Sequence, residues 1–180
     1  IVWLLSYAIG YNPVSISIAL LTLCAISAFL LMKTDVAKNF DIASIAKNET
    51  IFVAAFLFFT LIKFYTPAIY DGEKFHDIAF LNALVRADTF PPYDPWMSGY
   101  ALNYYYFGYF IVSLLIRLSS VPASIAFNLA IALFFALAVN AAYGFGYSLT
   151  KKTRYGALAA LFVVLLGTAV GFIWFLCSSN

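Results

Sequence analysis

The sequence predicts an all-α fold: a polytopic bundle of transmembrane helices with one ordered, partly helical extramembrane loop. Three observations predict it. Of 180 residues, 64% are hydrophobic and only 10% charged, whereas a soluble domain is about 45–50% apolar and about 25% charged. Apolar residues gather into runs of the length a helix needs to cross the hydrocarbon layer with every backbone amide paired. One stretch, 68–103, breaks that pattern with charges, prolines and aromatics.

This composition excludes a soluble enzyme and a nucleic-acid binder, and the net charge of +2 points to no anionic partner. Cys24 and Cys177 lie inside apolar runs, so no disulfide framework is expected. His76 is the single histidine, which excludes an all-histidine metal site.

Residues 1–9 read as the tail of a span, and the chain starts at Ile1. We therefore expect the 180 residues to be one transmembrane domain, a fragment of a longer protein. Tyr11, Asn12 and Pro13 form a turn before the first full span, 14–32. A polar connection follows, with Lys33, Asp35, Lys38, Asp41, Lys47 and Glu49, and the next span is 50–65. Further spans are expected at 104–119, 123–149 and 155–177, five in all besides the remnant. Gly144 and Gly146 lie near the end of the fourth. Gly167 and Gly171 in the fifth have the small-xxx-small spacing that brings helices close, a packing feature. Simple alternation puts Lys33, Lys38, Lys47 and Arg117 on one side and Lys74, Arg86, Lys151, Lys152 and Arg154 on the other. Four against five does not orient the chain by the positive-inside rule, unless one helix does not fully cross.

Within 68–103, Asp71 is positioned to cap a helix running to about Ala87, which Pro91 and Pro92 prevent from continuing. Glu73 and Asp77 are four residues apart on one helical face, with His76 beside them. Carboxylates that close call for a bound cation, a shared proton or a facing basic group. Asn82 and Arg86 form a second pair, rotated about 140° away. The plainer reading is a solvated surface at headgroup level, with Trp96 and Tyr104–Tyr106 as an aromatic belt.

Several motifs follow in order here: Glu73-Lys74, Asp77, Ala79-Phe80-Leu81-Asn82-Ala83, Arg86, Phe90-Pro91-Pro92, Asp94-Pro95-Trp96, Gly99, and Asn103-Tyr104-Tyr105-Tyr106-Phe107-Gly108. Together they resemble the "YYY" membrane-protein family, named for its tyrosine triplet. Phe75 stands where that family has proline, His76 where it has methionine, and Thr66-Pro67 where it has Asn-Pro. The family is in turn similar in architecture to the GT-C class of polytopic glycosyltransferases, which take a sugar from a polyprenyl-phosphate carrier and use an acidic residue in a non-cytoplasmic loop.

That resemblance implies Asp77 or Glu73 as general base. It implies Arg86, Lys74, Asn82, Asp94, Trp96, Asn103, Tyr104, Tyr105 and Tyr106 as substrate-binding residues. Glu73, Asp77 and His76 are the candidate ligands of a divalent metal ion. The expected partners are the bilayer and a polyprenyl-phosphate-linked sugar, with loop 68–103 on the outer face of the plasma membrane. The competing expectation is a non-catalytic scaffold or transporter subunit. Transport is disfavoured because Lys63 and Arg117, the ionisable groups within spans, both lie near span ends.

Overall fold

The computed structural model describes residues 1–34, 41–70, 72–164 and 177. Among them the regular secondary structure is helical, with one isolated antiparallel bridge between Tyr93 and Ala101 in the loop after the fourth helix, so the all-α expectation is met. The helices are α1 (Val2–Ile9), α2 (Pro13–Lys33), α3 (Ile42–Tyr65), α4 (Lys74–Arg86), α5 (Phe107–Ser119), α6 (Ala123–Thr150) and α7 (Thr153–Val164). Of these, α2, α3 and α6 are long and apolar enough to cross a membrane. The expected positions of Asp35, Lys38, Asp71, Gly167 and Gly171, and most of the 155–177 span, lie outside the described residues.

The start of α2 follows its sequence. Asn12 Oδ1 accepts from the Val14 and Ser15 amides, Ser15 Oγ accepts from the Asn12 amide, and Pro13 occupies the first helical position. By contrast, α3 starts at Ile42 rather than at 50. Asp41 caps it, accepting from Ala43 N at 3.1 Å, Ser44 N at 3.3 Å and Ser44 Oγ at 2.7 Å. A cap of this kind lets a helix begin in polar sequence before hydropathy rises. The tyrosine triplet precedes α5 instead of opening it. Tyr106 N donates to Tyr104 O at 2.8 Å, and Tyr106 is the cap residue.

The chain divides into two compact units. The first comprises residues 1–40 and 68–127. Its core is Tyr11, Ile16, Leu84, Phe90 and Phe110, flanked by Val2, Trp3, Tyr106, Tyr109 and Leu114. Gly10 makes the turn between α1 and α2 at φ +83°, and a side chain there would meet the Asp88 carbonyl at 2.9 Å. Tyr11 N–H bonds to that same carbonyl at 2.7 Å.

The second unit comprises residues 41–67 and 128–180. Here α3 and α6 run antiparallel. Lys47 Nζ lies over the Tyr143 and Tyr147 rings at 5.3 and 5.0 Å, the Phe59 and Phe135 rings are 4.5 Å apart, and Asn128 Nδ2 donates to Pro67 O at 2.9 Å. The α6–α7 contact depends on a missing side chain: a Cβ on Gly156 would sit 2.9 Å from the Tyr143 ring and carbonyl.

Candidate functional site

The chemistry-bearing residues lie on α4, the loop after it, and the start of α5. Phe80, Leu81 and Leu84 form the buried stripe of α4. Asp77 precedes them at helical spacing, so its half-buried carboxylate faces inward with them. Tyr109 on α5 meets it, its hydroxyl donating to Asp77 Oδ1 at 2.5 Å. A phenol, rather than a cation, is thus the group facing this carboxylate. Glu73 is the N-cap residue of α4; its carbonyl accepts from the His76 and Asp77 amides, and its exposed side chain makes no capping bond.

An aromatic strip continues from there. The exposed His76 ring lies 5.0 Å from Trp96 and 6.4 Å from Phe80, and Phe80 stacks on Tyr104 at 5.1 Å. The triplet separates into three environments. Tyr104 covers Phe80, Tyr105 is 88% exposed, and Tyr106 turns inward to Phe90 with its hydroxyl 3.0 Å from that of Tyr7.

The opposite face of α4 borders a cavity of about 590 Å³, lined by Asn82, Arg86, Asp88, Tyr93 and Asp94 with Ala79 and Ala83 as its floor. Its loop wall is self-braced. Asp94 Oδ1 accepts from Trp96 N and Met97 N at 2.8 and 3.1 Å, Asp94 N donates to Tyr100 O, and Leu102 N donates to Pro92 O. Pro92 is fully buried, and the Phe90–Pro91 peptide is cis. Asn82 Nδ2 donates to its own helix at Ile78 O.

The structure therefore brings Asn82, Arg86 and Asp94 to one cavity and leaves Glu73 and Asp77 outside it. Lys74 is half-buried at the start of α4, and Asn103 is exposed. Among the described residues, no group of three or more His, Cys, Asp or Glu side chains is placed to hold a metal ion. Glu73, His76 and Asp77 accordingly do not form a three-ligand set.

By sequence reasoning, four participants have no role in the site: Tyr11, Tyr109, Asp88 and Tyr93. A fifth, Arg117, has a larger role than its position near a span end suggests. Its guanidinium donates to Tyr11 O, Val85 O and Ala87 O and lies 4.0 Å from the Tyr11 ring centroid. This one side chain ties the α1–α2 turn to the end of α4, beside the cavity. Burial raises the Tyr11 phenol above its ordinary range, against the opposing hydrogen bond from Ser113 and the Arg117 charge. The periodicity of Asp77 with Leu81 and Leu84 is the available signal that this carboxylate points to the core.

The chain belongs to the DUF2298 family of uncharacterized membrane proteins, whose match covers residues 1–180. No curated protein and no solved structure matches it.

Proposed function

Taking that membership as the premise, we propose that the chain is part of a membrane enzyme that transfers a sugar from a polyprenyl-phosphate carrier. The polar head of the donor would lie in the cavity beside Arg86. The cavity carries the proposal because it gathers three required groups on one braced surface: a guanidinium, a tyrosine ring and carboxylates. The Arg86 fork suits a phosphate, and the flat face of Tyr93 suits a sugar ring.

In this reading a carboxylate takes the proton from an acceptor hydroxyl and the freed oxygen attacks the anomeric carbon. The bond from that carbon to the phosphate oxygen breaks. Its electron pair leaves on the polyprenyl phosphate, whose charge Arg86 holds. Asp88 supports the role of base better than Asp77 in this reading, because it borders the cavity and its main-chain carbonyl accepts from Tyr11 N–H. Asp77, bonded to Tyr109, becomes a positioning residue. The site would act on the outer face of the plasma membrane. The observation that favours a non-catalytic scaffold instead is that Asp77 and Arg117 are both engaged in holding elements together.

The test is transfer of radiolabelled sugar from polyprenyl-phosphate donors in membranes bearing the full-length protein. Arg86→Ala and Asp88→Asn should each lower transfer by roughly 10²–10⁴-fold, with thermal melting unchanged. Loss confined to Asp77→Asn or Glu73→Gln would return the base to the α4 pair. Full activity in all four variants, or no transfer by the parent protein, would favour the scaffold.

A further inference from the structure

We infer that α5 does not cross the bilayer, so that residues 66–122 form one module on a single side of the membrane, opposite the lysine-rich ends of α2, α3 and α6. This rests on helix direction and length and is independent of the glycosyl-transfer reading.

The first support lies in the second unit. The antiparallel α3–α6 pair meets at three successive places, from Lys47 beside Tyr143 and Tyr147, through Phe59 and Phe135, to Pro67 beside Asn128. The chain leaves α3 and enters α6 at the same end of that pair. The net number of crossings between Pro67 and Ala123 must then be zero. A single crossing by α5 would put the start of α6 at the far end of α3.

The first unit supplies separate support. Arg117, in the last turn of α5, bonds to the carbonyl of Tyr11, two residues before α2 begins. The end of α5 therefore meets the start of α2. An intervening pair of crossings, away along α2 and back along α3, returns the chain to this same side. Length agrees: 13 residues of α5 extend about 20 Å, against about 30 Å of hydrocarbon. The 21, 24 and 28 residues of α2, α3 and α6 are each sufficient.

Removing α5 from the alternation also changes the charge count. By sequence, Lys33, Lys38, Lys47, Lys151, Lys152 and Arg154 fall on one side, and Lys63, Lys74, Arg86 and Arg117 on the other. With Lys63 counted in both, six against four replaces the four against six of simple alternation, and the basic excess lies within a few residues of the ends of α2, α3 and α6. The positive-inside rule assigns that side to the cytoplasm. The cavity and the aromatic strip then face outward, and the basic ends meet the anionic lipids of the inner leaflet.

The experiment is labelling of single cysteines by a membrane-impermeant maleimide in intact cells producing the full-length protein, in a background with Cys24, Cys177 and other reactive cysteines replaced. Ser98→Cys in the loop and Ser119→Cys at the end of α5 should both label without permeabilisation, and Thr150→Cys only after it. Labelling after denaturation confirms that each variant is present and reactive. Opposite accessibility of Ser98→Cys and Ser119→Cys would overturn the non-crossing helix. Matching accessibility of those two only after permeabilisation would overturn the orientation.

Discussion

In the unit of residues 1–40 and 68–127, side chains bridge elements distant in sequence. Arg117 reaches three carbonyls, Tyr11 pairs with Ser113 at 3.1 Å, and Tyr109 pairs with Asp77. In the unit of residues 41–67 and 128–180, contact is made mainly by rings and by absent side chains, with the Asn128 bond to the Pro67 carbonyl at one end. Buried Thr60 Oγ1, Asn140 Oδ1 and Tyr143 OH have no hydrogen-bond partner among the described residues. The first unit has orphans too, Trp3 Nε1 and Arg117 Nε, but its cross-links outnumber them. Polar bonds fix directions as well as distances, as a set of converging side chains requires. Ring and glycine packing suffices for helices that need only lie side by side.

The largest test of that contrast is Arg117→Met. It strands the carbonyls of Tyr11, Val85 and Ala87 in a partly buried site and should cost about 3–5 kcal/mol, measured by thermal or denaturant unfolding of purified protein. Arg117→Lys should recover only part, because an ammonium cannot reproduce the fork. A loss below about 1 kcal/mol would show that the apolar cluster alone holds this unit.

Thr60→Val removes a hydroxyl without a partner and should leave stability unchanged or raise it by up to about 1 kcal/mol. Destabilisation beyond that would mean the hydroxyl is paired, and the contrast between the units would dissolve. The smallest effect is at Asp41, whose carboxyl is held below the usual aspartate range, chiefly by the Ser44 hydroxyl. A lowered pKa in the folded state means the cap is fully present above the ordinary aspartate value and is lost as pH falls through the folded one. Acidification from pH 5 to 2 should lower the protection of the Ala43 and Ser44 amides, taken as their exchange relative to the intrinsic rate at each pH, and Asp41→Ala should abolish that dependence.

The long spans are legible because hydropathy reports them directly, and Asn12-Pro13 because cap and first-turn residues sit side by side. The early start of α3 escapes hydropathy because its signal, Asp41 with Ser44, lies in a stretch too polar to resemble a span. On α4, spacing correctly places Asn82 and Arg86 away from Glu73 and Asp77. It cannot supply Tyr109, which lies 32 residues from Asp77 and meets it only once α4 and α5 pack. Arg117 escapes for the same reason: its carbonyl partners are main-chain groups, which leave no trace in residue identity.

The Arg117–Tyr11 bond also has a consequence in time. Its partners are 106 residues apart, and synthesis proceeds at about 5–20 residues per second. The turn before α2 therefore emerges roughly 5–20 s before the side chain that will fasten it. During that interval α2 and α3 must insert with the Tyr11 carbonyl still awaiting its guanidinium. The unit closes only when α5 arrives, so a ribosome stalled before residue 117 leaves inserted helices without their clasp.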